Sequence, residues 1–173
     1  GAGSFQISAI VAGGGLWVDG DVELENCAIV LNRCVGLTTL PYQRCFGGGL
    51  YAREGPGTAL RLRNTLVACN ACVDGVINPG SGLYVGANAT ATLENCTVAR
   101  GNTEGIASEA GSTLTIANSI VYENGTSGQG LAGAPASVRY SDVESVDGVP
   151  HTGPGNIARP PRFRSAPGCE VCD

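Results

Sequence analysis

GSGLYVGANATATLENCTV, residues 80–98, has a counterpart earlier in the chain, GGGLYAREGPGTALRLRNTLV, residues 47–67. Both stretches begin with two glycines separated by one residue and followed by Leu-Tyr, and both end on the pattern Leu-x-Asn-x-x-Val. Two matching motifs in the same order predict an internal repeat. The repeated asparagine raises the question of whether it serves chemistry or shape.

Alignment on this asparagine gives four copies of the repeat and a weaker fifth. The copies are VELENCAIVLN (22–32), LRLRNTLVACN (60–70), ATLENCTVARG (91–101), LTIANSIVYEN (114–124) and ASVRYSDV (136–143). The aligned positions, at spacings of 38, 31, 23 and 22 residues, are Asn26, Asn64, Asn95, Asn118 and Tyr140. The two shortest spacings approach the fewest residues that go once around a three-sided β-solenoid, and the longer ones leave room for insertions.

The apolar residues of each copy follow a strand pattern. Positions four before, two before and three after the aligned residue are apolar in all five copies. Alternation with a period of two predicts a strand with one buried face, and the change of phase at the asparagine predicts a corner. No segment has a 3.6-residue apolar stripe, so few helices are expected. The pattern predicts an all-β fold, a parallel β-solenoid of about five coils.

The asparagines are expected to form a ladder along one corner. In a parallel solenoid each coil lies ~4.8 Å above the preceding one, so equivalent side chains stack. Stacked amides can bond to one another and to the turn backbone, and Asn tolerates corner dihedrals that most residues avoid. The predicted ladder serves shape, not chemistry, and consists of Asn26, Asn64, Asn95 and Asn118. Glycines at 13–15, 47–49, 80, 82 and 105 predict a second tight corner.

The outward residues carry charges that alternate in sign between neighbouring coils. Glu25, Arg63 and Glu94 precede the aligned asparagines, and Glu23 and Arg61 lie two residues earlier. Adjacent opposite charges contribute roughly a few tenths of a kcal/mol each, and a slip by one coil would bring like charges together. The column predicts a solvated ladder of charges, not an active site.

These motifs resemble those of the right-handed parallel β-helix repeat proteins, which are related in fold to pectin lyases and polymorphic outer-membrane proteins. The resemblance rests on Gly47–Tyr51, on Leu-x-Asn-Cys/Thr/Ser-x-Val and on NSIVYEN (118–124). In the closing segment, 138–163, Tyr-Ser-Asp-Val and Gly-Asn-Ile match the family's ending, whereas RPPRF (159–163) replaces its usual acidic start. The resemblance covers about residues 13–163 and implies a right-handed parallel β-helix, a fold that occurs in adhesins, enzymes and scaffolds alike.

Composition excludes some partners and indicates a compartment. Hydrophobic residues make up 43% of the 173 residues and charged residues 14%, which indicates a folded domain. A net charge of −5, with ten basic residues that are all Arg, argues against a nucleic-acid partner. No apolar run approaches the ~20 residues of a membrane span. Eight cysteines and the glycosylation sequons at Asn88, Asn95 and Asn124 favour an extracellular or cell-surface protein.

Candidate catalytic groups are few. The resemblance implies that an active member which cleaves pectin would use clustered Asp residues with an Arg or Lys nearby. Asp19 and Asp21 form the only close pair of Asp residues, and an acidic turn explains them more simply. His151 lies in a Gly/Pro-rich loop without a motif for a catalytic triad, so we expect it to be solvated. The sequence predicts no enzyme, no cofactor and no metal site.

The cysteines favour disulfides over a zinc site, because the two Cys-x-x-Cys pairs, 69–72 and 169–172, lie far apart in the chain. Cys34 and Cys72 each lie two residues after the last asparagine of their copy, so they occupy the same slot of neighbouring coils, within disulfide range. The expected pairs are Cys34 with Cys72, Cys45 with Cys69, and Cys169 with Cys172 or with a neighbouring molecule. Cys27 and Cys96 are expected to be buried free thiols.

One outward column is aromatic. Trp17, Tyr51 and Tyr84 each follow the inward Leu of the glycine motif, and Ala107 comes next in the column. Aromatic rings stacked at the coil repeat could bind sugars, form a contact between protomers, or only pack against one another.

Two insertions, residues 33–46 and 71–79, leave from the same corner and are expected to stack into one lobe. The lobe either covers the side of the solenoid or contacts a partner through exposed residues. The residues expected at such a contact are Leu40, Tyr42, Arg44 and Phe46.

The sequence divides into a β-helix domain, residues 1–163, and a cysteine-containing tail, 164–173. Clear repeats span 13–143, a closing segment spans 144–163, and both ends of the solenoid are expected to present unpaired backbone. The first hypothesis is a non-enzymatic extracellular structural or cell-surface protein that stacks into a filament or forms part of a longer β-helix. A carbohydrate-binding module is the alternative, and a polysaccharide lyase or hydrolase is the third. The expected partners are copies of the chain itself and glycans.

Overall fold

A computed structural model describes residues 9–36, 43–74, 78–125, 129–133, 136–145 and 147–163. These residues contain nineteen strands and no helix. The strands are β1 Ala9–Ala12, β2 Leu16–Val18, β3 Asp21–Glu25, β4 Ala28–Val30, β5 Arg33–Val35, β6 Gln43–Phe46, β7 Leu50–Ala52, β8 Ala59–Arg63, β9 Leu66–Ala68, β10 Ala71–Val73, β11 Leu83–Val85, β12 Thr90–Glu94, β13 Thr97–Ala99, β14 Ile106–Ser108, β15 Thr113–Ala117, β16 Ile120–Tyr122, β17 Leu131–Gly133, β18 Ala136–Arg139 and β19 Asp142–Val143.

Most strands belong to three parallel sheets of five strands each. Sheet I contains β2, β7, β11, β14 and β17, sheet II contains β3, β8, β12, β15 and β18, and sheet III contains β4, β9, β13, β16 and β19. The chain visits sheets I, II and III in turn and then returns to the next strand of sheet I, so each round is one coil. Coils 1 to 5 begin at β2, β7, β11, β14 and β17. The predicted all-β parallel solenoid of about five coils is confirmed.

The apolar faces of the three sheets enclose one core. Leu62, Leu93 and Ile116 lie in register on neighbouring strands of sheet II, and each is 0% exposed. The buried residues of sheet III stack in the same way, and they are Val67, Val98, Val121 and Val143. Full burial of one such side chain contributes about 2 kcal/mol. The inward columns predicted from the repeat therefore hold successive coils together.

Glycines form the corner at which the chain enters sheet I. Gly13, Gly47 and Gly80 occupy the same slot of successive coils with φ angles of 67°, 61° and 68°. A Cβ atom on the next residue, Gly48, would lie 2.6 Å from the carbonyl oxygen of Ala71. This corner therefore combines left-handed backbone with a close approach between two backbone segments of the chain, and glycine alone accommodates both.

The asparagine corner lies between sheets II and III. The φ angles are 55°, 48°, 54°, 50° and 49° for Asn26, Asn64, Asn95, Asn118 and Tyr140. Asn adopts this left-handed conformation more readily than other residues with a side chain, so the role in shape is as expected. All five side chains are exposed, and the part of the chain that the structure describes shows no side-chain hydrogen bond from the four asparagines. The asparagine ladder is therefore not confirmed at these positions.

The residue after each asparagine links the coils instead. The Ser119 hydroxyl donates to the Ala117 carbonyl at 2.7 Å and accepts from the Cys96 N–H at 3.0 Å. The Ser119 N–H donates to Ser141 Oγ at 3.1 Å, and the Ser141 N–H donates to Asn156 Oδ1 at 3.1 Å. The full column is Cys27, Thr65, Cys96, Ser119, Ser141 and Asn156.

A second left-handed column follows sheet III. Its φ angles lie between 56° and 59°, and its members are Leu31, Cys69, Arg100 and Glu123. These residue types have no shared preference for left-handed backbone, so this corner is not predictable from residue type. The residues that come next are Asn32, Asn70, Gly101 and Asn124.

Side-chain amides do stack at this second corner. Asn32 donates its backbone N–H and its Nδ2 to Asn70 Oδ1, at 2.9 and 3.1 Å. Asn124 is 1% exposed, accepts from the Gly101 N–H at 3.0 Å and donates Nδ2 to the Val98 carbonyl at 3.0 Å. Coil-to-coil amide bonding therefore exists, one corner later than predicted.

Candidate functional site

The first strands of the two insertions, β5 and β10, stack as expected. β5 pairs with β10 in parallel, and Cys34 lies directly opposite Cys72, whereas β6 pairs with β1. The expected contact residues 40 and 42 lie outside the described residues. Arg44 is exposed, but Phe46 is only 5% exposed, so Phe46 does not form part of an exposed contact surface.

Phe46 instead closes the aromatic column of sheet I. Trp17, Tyr51 and Tyr84 lie in register, with the two tyrosine rings stacked at a centroid distance of 5.7 Å. Phe46 stacks on Tyr84 at 4.3 Å. Tyr51 and Tyr84 are each 5% exposed, while Trp17 is 49% exposed. Since two of the three rings are covered, the column is not the open sugar-binding strip that the sequence left as one alternative, and mutual packing describes it.

Both tyrosine hydroxyls bond to carboxylates. Tyr51 donates to Glu54 and Tyr84 donates to Glu109, which also accepts from the Ala87 N–H at 3.1 Å. Burial raises the pKa of both tyrosines above its ordinary value, and the hydrogen bonds to the carboxylates raise it further. Both phenols are protonated at neutral pH and serve as fixed donors.

Three cysteines form a buried cluster beneath the insertions. Cys34, Cys45 and Cys72 are each at most 1% exposed. A hydrogen bond with Cys72, together with burial, raises the pKa of the Cys34 thiol above its ordinary value. Burial and the contact with Cys34 raise the pKa of Cys45 to about 12. Cys34 and Cys45 are therefore protonated and weakly nucleophilic at neutral pH.

The predicted disulfides differ from what the structure shows. Cys34 and Cys72 face each other as thiols joined by a hydrogen bond. Pairing of the two cysteines in register brings their Cα atoms within disulfide distance, but a disulfide also requires a suitable Cβ–S–S–Cβ geometry. Cys69 is disulfide-bonded, yet its partner is not Cys45, which carries a free thiol. The predicted pair of Cys45 with Cys69 is therefore wrong.

The remaining cysteine expectations have mixed outcomes. Cys96 is a buried free thiol, as expected, and Cys27 is a free thiol that is only half-buried because it lies on the first coil. Burial raises the pKa of Cys96. The tail cysteines, Cys169 and Cys172, lie outside the described residues.

The acidic pair lies among ion pairs between coils 1 and 2. Arg53 Nη1 is 2.6 Å from Asp19 Oδ2, and Arg61 bonds to Asp21. All four side chains are largely exposed, so solvent screens both pairs and each contributes little to stability. These ion pairs with arginines give both Asp residues a structural role, because they link coil 1 to coil 2.

The charge column of sheet II is paired diagonally between coils 1 and 2 and directly between coils 2 and 3. Arg61 faces Glu23 in register but bonds to Asp21, two residues earlier. Arg63 Nε lies 3.7 Å from Glu94, its register partner on coil 3, and 3.6 Å from Glu23, a diagonal neighbour on coil 1. Diagonal neighbours in a sheet lie within reach of long side chains. Glu25 is left exposed with no ion pair among the described residues.

The three sequons differ in accessibility. Asn88 and Asn95 are exposed. Asn124 is buried, and its Nδ2, the atom to which a glycan would be attached, donates to Val98 and Tyr122. The expectation of a glycan at Asn124 is therefore incompatible with the folded chain.

Other candidates for chemistry contribute little. His151 is half-buried instead of fully solvated, and its carbonyl accepts from Asn156 Nδ2 at 3.0 Å. Over the described ranges, no three His, Cys, Asp or Glu side chains are grouped so that they could hold a metal ion. Those ranges also contain no helix with the length and apolar character needed to cross a membrane.

The two ends of the solenoid are different. At coil 5, Ile157 pairs with Asp142, and the Ile157 N–H donates to the Ser141 carbonyl at 2.9 Å. The Tyr140 N–H donates to the Pro154 carbonyl at 2.8 Å. The closing segment therefore covers this end, contrary to the expectation that both ends present unpaired backbone.

Among the described residues, no strand covers the outer side of coil 1. β2, β3 and β4 are the margins of their sheets, with no described strand beyond them. Val22, Leu24 and Ile29 are half-buried, whereas their partners in coil 2 are fully buried: Leu60, Leu62 and Val67. We name the outer side of β3 the coil 1 edge. It is the candidate functional site, because unpaired backbone, incompletely covered core residues and unbalanced charge occur together there.

Comparison with known proteins agrees with this architecture. The chain matches the family model described as right handed beta helix region over residues 6–149. No curated protein and no solved structure matches it. The matched span includes all five coils and covers most of the chain. The chain therefore belongs to the right-handed β-helix family.

Proposed function

We propose that this chain is a non-enzymatic structural protein of the extracellular space or cell surface, and that it acts as one segment of a longer β-helix joined at coil 1. The observation that carries the proposal is the coil 1 edge. Leu24 is half-buried there, while Leu62, Leu93 and Ile116 in the same column are 0% exposed. A further coil would complete the burial of the column and pair the margin strands.

The difference between the ends favours a segment over an endless filament of identical chains. Head-to-tail stacking of copies would require coil 5 to receive coil 1. Residues 153–158 lie on coil 5 and pair with it through Asp142 and Ile157. A joint through coil 1 alone agrees with the uncovered edge at coil 1 and with the closing segment that lies on coil 5.

A structural role is also supported by what the polar groups do. Asp19 and Asp21, the best candidates for acid chemistry, are bound by Arg53 and Arg61. The tyrosine hydroxyls bond to carboxylates within the same coils or between neighbouring ones. These groups stabilise the stack of coils.

An oxidising compartment is supported by Cys69, which is disulfide-bonded, because disulfides persist outside the reducing cytosol. The exposed sequons at Asn88 and Asn95 are compatible with secretion by a cell that glycosylates.

Polysaccharide cleavage assays test the non-enzymatic part of the proposal. The purified chain is incubated with polygalacturonate and with acidic and neutral glycans, with and without Ca²⁺, and unsaturated or reducing ends are measured. No turnover above the rate without protein is expected. Turnover that is lost in Asp19→Asn and Asp21→Asn variants with unchanged circular dichroism would overturn the proposal.

A further inference from the structure

We propose that the coil 1 edge binds a parallel β-strand in which apolar residues alternate with Arg or Lys, supplied by a further β-helical coil. This inference rests on the proposed function and deepens it, since it gives the chemistry of the partner. Three properties of β3 support this occupant: its unpaired backbone groups, its half-buried apolar side chains and its acidic outward side chains.

The backbone of β3 presents alternate residues to each side. The Asn26 N–H donates to the Arg63 carbonyl, and the Ala59 N–H donates to the Gly20 carbonyl, so even-numbered residues bond to β8. In a parallel ladder the residues between them direct their N–H and C=O groups to the opposite side. Asp21, Glu23 and Glu25 therefore offer a row of donors and acceptors at the edge, which is the template for strand addition.

The inward side chains require an apolar partner. Val22 and Leu24 alternate with the acidic residues and point into the core, where they are half-buried. Their counterparts Leu60 and Leu62 are fully covered because strands lie on both sides of β8. A strand with apolar residues at alternate positions would provide the missing cover.

The outward side chains require a basic partner. Asp21, Glu23 and Glu25 are all exposed, and among the described residues the ion pairs of Asp21 and Glu23 are made with arginines of coil 2. Glu25 has no ion pair within the described residues. A second acidic strand would place like charges side by side, whereas Arg or Lys would continue the alternation of sign already present between β3 and β8.

A second copy of the chain fits poorly. Joining two coil 1 edges would bring together two rows of acidic residues. The other end offers β18, whose outward residues include Ser137 and a single basic residue, Arg139, and the closing segment lies over that end. The occupant is therefore a coil whose sequence differs from those of coil 1 and coil 5.

The structure already contains a strand of the required kind. β8, Ala59-Leu60-Arg61-Leu62-Arg63, pairs with the inner side of β3 over its full length. It combines two inward leucines with two outward arginines that bind Asp21 and Glu23. A strand with the same pattern on the outer side would repeat these contacts.

The test uses the full chain and a synthetic peptide that copies residues 47–74, with Cys69→Ser and Cys72→Ser to prevent oxidation. Two matched peptides replace Arg61 and Arg63 by Thr or by Glu. Binding is followed by fluorescence anisotropy and by hydrogen exchange at the amides of Glu23 and Glu25. The Arg peptide should bind about tenfold more tightly than the Thr peptide and protect both amides, and added salt should reduce the difference.

Variants of the protein identify the surface. Glu25→Arg should weaken binding of the Arg peptide and strengthen binding of the Glu peptide, since Glu25 is exposed and its replacement leaves the core intact. Glu104→Arg, with the same charge change at the corner between β13 and β14, should alter neither. Equal effects of the two variants would overturn the proposal, because they would indicate nonspecific attraction. Equal binding of the Arg and Thr peptides would overturn the selection for charge but leave the joint at coil 1. Failure of every peptide to protect Glu23 and Glu25 would overturn the joint as well, and the acidic row would then only guard the edge against aggregation.

Discussion

Cys34 and Cys72 lie directly opposite each other on β5 and β10, and their thiols share a hydrogen bond. The two strands extend from coils 1 and 2, so this contact is the point at which the two insertions are held together. Cys45 completes the cluster from β6, where its thiol donates to the Val73 carbonyl at 3.4 Å.

Mild oxidation should convert this contact into a covalent link. Residues directly paired in parallel strands have Cα atoms ~4.8 Å apart, within the range of disulfides. Refolding of the reduced chain in a glutathione redox buffer, which reacts with these thiols before they are buried, should give a Cys34–Cys72 disulfide that raises the free energy of unfolding by about 3 kcal/mol, through closure of a long loop. Non-reducing peptide mapping and urea unfolding provide the measurements. The Cys45→Ser variant should behave in the same way, and a disulfide that contains Cys45 in the unaltered chain would contradict the assignment.

The buried thiols and phenols predict a loss of stability in alkali. The pKa values of Cys34, Cys45, Tyr51 and Tyr84 are all raised in the folded chain, that of Cys45 to about 12. Stability from these groups is complete below their unfolded pKa values and is lost as pH rises towards the folded values. The free energy of unfolding should fall between about pH 9 and pH 12, by ~1.4 kcal/mol per pH unit for each group ionised only in the unfolded chain.

Urea unfolding at pH 7, 9, 10 and 11 measures this slope. Cys45→Ser should give a shallower slope than the unaltered chain, because serine does not ionise in this range. A free energy of unfolding that stays constant from pH 8 to pH 11 would show that these groups are not buried in their protonated forms.

The period of the repeat predicts the fold, because burial requires apolar residues at the inward positions and this requirement is visible in the sequence. Positions such as Leu62 and Leu93 must be apolar in every coil, and the left-handed backbone at Asn64 and Asn95 restricts the choice of residue. Coil number, strand direction and the stacking of the insertions all follow from these columns.

The side-chain contacts were harder to predict, since they depend on which corner turns its residues inward. At the second corner the aligned copies end in Asn32, Asn70, Gly101 and Asn124. This column is visible in the sequence, but the column that begins at Asn26 contains an asparagine in all four copies and therefore predicts the ladder. The preceding residues, such as Leu31 and Glu123, gave no sign of a left-handed turn. Burial of Tyr84 was unpredictable for another reason, because Phe46 reaches it from an insertion outside the repeat.

The exposed asparagines should contribute through their backbone alone. Asn118 has a φ angle of 50° and an exposed side chain. Asn118→Ala should lower the free energy of unfolding by about 1 kcal/mol, because a Cβ-bearing residue without a short polar side chain pays the full cost of left-handed backbone. Asn118→Gly should stay within about 0.5 kcal/mol of the unaltered chain, since glycine adopts this conformation freely. If Gly proved as costly as Ala in thermal unfolding, the side-chain amide rather than the backbone would be what matters at this corner.

The buried asparagine of the second corner should be worth more. Asn124→Ala removes the acceptor of the Gly101 N–H and the donor to the Val98 and Tyr122 carbonyls, and leaves these groups without a partner in a buried site. The expected loss in the free energy of unfolding is about 2–3 kcal/mol, measured by urea titration, because unsatisfied buried groups keep their full desolvation cost. Asn118→Ala is the matched control, with the same change of side chain at an exposed corner. Equal losses in the two variants would mean that the inward amides do not bond the coils to one another, whereas a larger loss for Asn124→Ala places the amide stack at the corner after sheet III.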